Sequence, residues 1–240
     1  MNKPLALFAA AACLLLVGCE TRSISNSGYR AGRGNYGPTG GYVGELSEFD
    51  VLGVDAAGNV TDAEILGALD TRTPVRLGKN SRVMLIQSGA DFPDNSMQEG
   101  LSARYNVGPF SGKPRTAKDA TASYSKSLRL AAARGGYDKI LCYWGVLESG
   151  RARELTKGVS WVPIVGYFVP DEKESMRIRL KAVLIDTATG NWVMIQPEPV
   201  TDKQLSSIVS RESSDQSLVE KLKTQGYRSL VSLLTSAYGE

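Results

Sequence analysis

Apolar positions follow three patterns along the chain, and each predicts a different element. Unbroken runs come first. Val83-Met84-Leu85-Ile86, and residues 139–147 with Ile140, Leu141, Cys142, Tyr143 and Trp144, are apolar on both parities, as expected of central strands covered on both faces. Alternation is the second pattern: Ile178, Leu180 and Ala182 interleave with Arg177, Arg179 and Lys181, the period of a strand with one solvated face. Recurrence at three- and four-residue steps is the third. Ala117, Ala120, Tyr124, Leu128 and Ala131 predict a helix over 117–134 stopped by Gly135-Gly136. Leu218, Leu222, Leu230 and Leu234 predict a terminal helix over 218–237, weakened midway by Gly226.

Turn and cap residues punctuate these runs. Thr61 and Glu64 have the spacing of a capping box and predict a short helix to about residue 70, and Ser96 and Glu99 repeat that spacing before a brief helix ending near Tyr105. Residues 45–54 read as a short strand or an extended lead-in, and the glycines and prolines of 106–115 read as loop. Residues 186–191, Asp-Thr-Ala-Thr-Gly-Asn, predict a hairpin turn from which 192–196 returns antiparallel, with Pro197 and Pro199 closing the sheet. A helix over 202–210 follows the capping spacing of Thr201 and Gln204.

Two stretches offer contact surfaces. Trp161, Val162, Ile164, Tyr167 and Phe168 form an apolar run broken by Pro163 and Gly166. It reads as core or edge packing, with contact to a partner or to lipid as the functional alternative. Arg177, Arg179 and Lys181 form a basic face that could meet an acidic partner, or be only the wet side of a sheet.

The amino terminus carries a different message. Met1 to Lys3 is basic, the roughly 14 residues from Pro4 to Val17 are almost wholly apolar and too short for a spanning helix, and Leu16-Val17-Gly18-Cys19 ends the run. The segment resembles a bacterial lipoprotein signal with a lipobox. That resemblance implies cleavage between Gly18 and Cys19, a diacylglycerol group on the Cys19 thiol and an N-acyl chain on the new amino terminus. Several acyl chains give stable anchoring where a single one gives marginal binding. It also implies the outer membrane, because Glu20 stands where an Asp would signal inner-membrane retention; the periplasmic side is the default, with the inner membrane and the cell surface as less favoured alternatives. Residues 1–18 are therefore assigned as signal peptide. Residues 19–44, with Gly28, Gly32, Gly34, Gly37, Gly40 and Gly41, are assigned as a lipidated cysteine and flexible linker with a reach of roughly 25 to 30 Å.

Composition narrows the chemistry. There is no histidine among the 240 residues, which removes histidine-based triads, histidine zinc sites and histidine pH switches. Lys and Arg total 28 against 25 Asp and Glu, a balance that argues against a dedicated nucleic-acid binder. Of three cysteines, Cys13 lies in the signal and Cys19 carries lipid, leaving Cys142 without an intramolecular partner and placed as a small buried hydrophobe. Ser123 and Lys126 match Ser-x-x-Lys, but inside a predicted helix and without its companion motifs, so the match reads as chance. No catalytic, metal or cofactor-binding residue is assigned, and the covalent lipid on Cys19 is the one attached group.

Residues 45–240 are assigned as one periplasmic α/β domain, an α+β sandwich with a mixed sheet of about four to six strands and helices packed on it. Three local features, together with the lipobox, resemble a group of bacterial envelope domains. They are a helix ending in Gly, then Tyr137-Asp138 and an apolar strand; a strand, the 186–190 turn and a second strand; and a final amphipathic helix. The group comprises the curli secretion channel lipoprotein, the lipoprotein activators of penicillin-binding proteins and the TolB amino-terminal domain. The resemblance implies docking without catalytic residues. The expectation is a lipid-anchored, non-enzymatic interaction or assembly module with an envelope protein partner. An envelope hydrolase working without histidine, as peptidase or glycan-cleaving enzyme, and a membrane-associating or pore-type subunit stand beside it.

Overall fold

The computed structural model describes residues 20–25, 44–53, 60–113, 123–151, 174–202 and 215–239. Within them the chain runs β1 (Glu20–Ser23), α1 (Glu48–Leu52), α2 (Asp62–Asp70), β2 (Arg82–Gln87), α3 (Asn95–Ser102), β3 (Asn106–Phe110), α4 (Ser123–Arg134), β4 (Lys139–Arg151), β5 (Glu174–Asp186), β6 (Trp192–Ile195), β7 (Val200–Thr201) and α5 (Asp215–Tyr238). The seven strands form one mixed sheet in the order β3-β2-β4-β5-β6, with β1 paired to β4 and β7 to β5.

The topology explains why helices lie on both faces. β2, β3 and β4 are parallel, with β3 and β4 on opposite sides of β2. The chain moves one way across the sheet through α3 and back the other way through α4. Right-handed crossovers in opposite directions place the two helices on opposite faces. One core accordingly joins Met97, Leu101, Leu222, Tyr227, Leu230 and Leu234 of α3 and α5 to Val83, Leu85, Leu141 and Leu184 of the sheet. The other joins Val51, Leu128 and Ala132 of α1 and α4 to Met84, Ile86, Ile140, Cys142 and Ile185. The alternation of 83 and 85 against 84 and 86 is the strand period sorting one apolar run between two helical layers.

The central strands, the 186–191 turn with Gly190 at φ +78°, the α4 stop at Gly136 with φ +77°, and the terminal helix fall where the sequence places them. Gly226, read as a weak point of that helix, sits where α5 presses on the sheet: a Cβ there would lie 3.0 Å from Leu180.

Four sequence expectations are corrected. Residues 106–110 are a strand and not loop, because edge β3 tolerates Pro109 and because Gly108 leaves room for Tyr137, whose hydroxyl would lie 1.8 Å from an added Cβ. Residues 48–52 are helix α1 and not strand, nucleated by a capping box in which Ser47 and Asp50 satisfy each other's backbone amides. Helix α3 is capped at Asp94 and not Ser96, and the Asp94 side chain makes no cap bond because it is engaged elsewhere. Finally, 20–25 belongs to the fold and not to the linker. β1 pairs antiparallel with β4, Glu20 opposite Ser149 through Ser23 opposite Val146, and Ile24 is buried. The start of the helix expected over 117–134, residues 203–210 of the helix expected over 202–210, and the apolar stretch 158–169 lie outside the described residues.

Candidate functional site

The end of β2 is where chemistry would be expected. In open α/β sheets, ligands bind beyond the carboxyl ends of the strands at the point where the chain order reverses, which here is Gln87-Ser88 between β3 and β4. In this protein the chain itself fills that point. β1 and β2 lie end to end along one edge of β4: the Ser88 amide donates to Tyr143 O at 3.0 Å and the Ile24 amide to Gly145 O at 3.0 Å. The Ser25 hydroxyl donates to Ser88 O, the Gln87 side-chain amide to the Ser25 hydroxyl at 3.2 Å, and the Leu46 amide to the Ser88 hydroxyl at 2.9 Å. From the other side, Gly112 closes against the end of β2, where an added Cβ would stand 1.8 Å from Gln87 O.

Beneath this plug lies a polar cluster. Tyr143 of β4 donates to Gln87 Oε1, which also accepts from the Asp94 amide at 2.7 Å. Asp94 Oδ2 accepts from Lys223 at 3.0 Å and from the Tyr227 hydroxyl at 2.5 Å, joining the start of α3 to the middle of α5. The Tyr143 and Tyr227 rings meet edge to face at 5.7 Å. Burial pushes both phenols well above their ordinary range, the charge of Asp94 adding to the effect, so both remain neutral donors. With Lys223 5% exposed and Tyr227 1%, the donors and acceptors of the cluster meet one another. The arrangement is a cross-brace between helix and sheet. No local pattern signals it, since Asp94 and Lys223 meet only through the fold.

On the opposite face, Arg177, Arg179 and Lys181 share one side of β5 as the alternation implies, yet each meets a carboxylate of this chain. Arg177 and Arg179 converge on Glu148, the latter at 2.6 Å, and Lys181 pairs with Glu48 while lying 5.5 Å from the centre of the Trp144 ring. Glu45, bonded to Ser23, is raised above its ordinary range by burial, against the lowering effects of that bond and of Lys181. Burial likewise lowers Lys181, against Glu45. Cys142 is fully buried, and burial, reinforced by the nearby Glu45 charge, pushes its thiol far up, so it is inert packing as its apolar neighbours suggest. Trp161, Val162, Ile164, Tyr167 and Phe168 lie outside the described residues, as do Gly18 and Cys19. Among the described residues no group of three or more Cys, Asp or Glu is placed to hold a metal ion, and no helix is long and apolar enough to cross a membrane.

Two shallow grooves flank α5. One, of about 520 Å³, lies between α3 and α5 and is lined by Gly100, Arg104, Tyr227, Arg228 and Val231 with several hydroxyls. The other, of about 610 Å³, lies between α5 and residues 196–198 and shares Arg228.

The profile of the YafT bacterial lipoprotein family matches residues 47–237. The chain belongs to that family. It is therefore a lipoprotein, held to a membrane by lipid. The match begins just before α1 and ends within α5, so it covers both helical layers and all of the sheet except β1. No curated protein and no solved structure matches the chain. The likeness to the curli secretion channel, penicillin-binding-protein activator and TolB domains is accordingly not supported. What the local features shared with that group is a strand–turn–strand and helix–Gly–strand grammar common to many α/β domains.

Proposed function

We propose that this YafT-family lipoprotein is a non-enzymatic interaction module, anchored through Cys19 to the outer membrane on its periplasmic side and held close against it. The observation that carries the reading is the pairing of β1 with β4. Glu20, one residue after Cys19, lies opposite Ser149, so the acyl chains attach to the edge of the sheet. The glycine-rich stretch 26–43 then connects Ser25 to Gly44, and both of its flanks are fixed to the domain, since Ser25 and Leu46 bond to the same Ser88. It is an insertion on the domain and contributes no reach between lipid and fold. The working distance from the membrane falls from tens of ångströms to little more than one residue.

The same end of the sheet bears on the apolar segment. Arg151 of β4 pairs with Glu174 of β5, so residues 152–173 leave and rejoin the hairpin at the end where β1 starts. This placement favours membrane or partner contact for Trp161, Val162, Ile164, Tyr167 and Phe168 in our reading. A hydrolase is disfavoured because the switch point at Ser88 is filled and the Asp94 carboxylate is engaged by the buried Lys223 and Tyr227.

Labelling cells with radioactive palmitate and separating their membranes by density tests the reading. The full chain is expected to carry label and to migrate with the outer membrane, and Cys19→Ala to carry none. Label persisting in Cys19→Ala overturns the anchor site, and migration with the inner membrane overturns the location.

A further inference from the structure

Helix α2 has no buried residue. Ile65, Leu66 and Leu69 are 50%, 61% and 60% exposed, and at about 100° per residue they form one stripe, with Val60 exposed just ahead of it. Asp62 stands at the start of the stripe and Asp70 borders its far end, whereas Glu64 lies on the side away from it with its carboxylate held by Thr61. An isolated helix of this length is marginal in water even when well capped. The Thr61–Glu64 capping box and the bond from the Thr71 hydroxyl to Gly67 O shape α2 without burying its apolar face. The segment that joins it to the core is fixed: Thr73 accepts from Asn191 at 3.0 Å, Val75 and Leu77 are buried, and the Leu77 amide donates to Tyr238 O at 2.8 Å. The arm is thus held with its apolar stripe turned to solvent.

The same chain carries a surface of matching chemistry. The α3–α5 groove is lined by Gly100 and Val231 together with Arg104 and Arg228. Neither arginine side chain has a partner among the described residues. We infer that the stripe of α2 docks in the α3–α5 groove of a second copy of this chain, Asp62 and Asp70 facing the two arginines, and that the exchange is reciprocal, closing a two-fold dimer. The acidic flanks disfavour insertion among anionic lipid headgroups, where interfacial helices carry Lys and Arg. The contact is small, and lipid anchoring in a common membrane raises the effective concentration at which the copies meet. This inference goes beyond the anchoring proposal and fails separately from it, because the crosslink below reads which copy is touched and not where the protein resides.

The test co-expresses two differently tagged full-length chains, one with Leu66→Cys and the other with Val231→Cys, and treats intact cells with a short bismaleimide. A heterodimer is expected, about tenfold above the yield when Phe92→Cys, 76% exposed and away from the stripe, replaces Leu66→Cys. Adding Arg104→Glu and Arg228→Glu is expected to abolish the excess, and Asp62→Arg with Asp70→Arg in the other chain to restore it. A yield equal to the Phe92 control overturns the inference. So does a crosslink found only within single chains that carry both cysteines, which would put α2 in its own groove.

Discussion

The Ser25 hydroxyl donates to the carbonyl of Ser88, at the point where β1 meets the end of the central strand β2. Ser88 in turn accepts from the Leu46 amide at 2.9 Å and donates to Leu46 O at 3.2 Å. One buried residue thereby fixes both flanks of the glycine-rich stretch. Ser88→Ala leaves the Leu46 amide buried without its acceptor and is expected to cost about 1 to 3 kcal/mol. Ser88→Thr keeps a hydroxyl and is expected to cost less. Urea unfolding of the two variants checks this, and equal losses would contradict it.

The Asp94–Lys223 pair predicts an asymmetry. Lys223 is almost fully buried, whereas the Asp94 side chain keeps 30% of its exposure. Asp94→Ala strands a buried ammonium and removes the acceptor of Tyr227, a loss of about 3 to 5 kcal/mol. Lys223→Met leaves Asp94 partly hydrated and still bonded to Tyr227, and a well-packed apolar replacement of a buried ion is often close to neutral. The order of unfolding midpoints in urea is the measurement, and Lys223→Met falling below Asp94→Ala would refute the cross-brace.

Glu45 gives a pH dependence. Burial raises its carboxyl above the ordinary 4.5, against Ser23 and Lys181. A carboxyl that binds its proton more tightly folded than unfolded loses stability as pH rises from 4.5 through the folded value, and regains it on acidification. Wild type is therefore expected to gain stability relative to Glu45→Gln as the pH falls from neutrality towards 4.5. A difference between the two that does not change with pH would contradict the raised value.

Two glycines separate backbone need from helix weakness. A Cβ at Gly112 meets the Gln87 carbonyl, a backbone atom that cannot swing away, and Gly112→Ala is expected to cost about 1 to 3 kcal/mol. A Cβ at Gly67 meets nothing within 4 Å, and this position lies on the side of α2 away from the apolar stripe. Gly67→Ala is expected to stabilise α2 by about 1 kcal/mol, read as roughly fivefold slower amide exchange across the helix. Unchanged exchange would contradict the helix.

What could be read from the sequence was what local pattern determines. Val83 to Ile86 and Ile140 to Trp144 are apolar on both parities because two helical layers cover them, and the turn at 186–191 is written in its own residues. β3 was hidden because Gly108 and Pro109 look like loop until Tyr137 is seen to need the space. β1 was hidden because Glu20-Thr21-Arg22-Ser23 has no strand period and is a strand through its backbone pairing with β4. The α3 cap was misplaced because Asp94 spends its carboxylate on Lys223 and Tyr227, both distant in sequence. The basic row on β5 was legible, and the carboxylates of Glu148 and Glu48 that meet it were not.

The central claim is that residues 20–25, which follow the proposed anchor at Cys19, are part of the sheet. Thr21→Cys with Glu148→Cys in the full-length lipoprotein, oxidised in intact cells, tests it most directly, because these positions are paired across β1 and β4 and paired strands bring their Cα atoms within disulfide reach. The account predicts near-complete intramolecular disulfide formation. A yield no higher than that of Thr21→Cys with Phe92→Cys would return residues 20–25 to a free tether and contradict it.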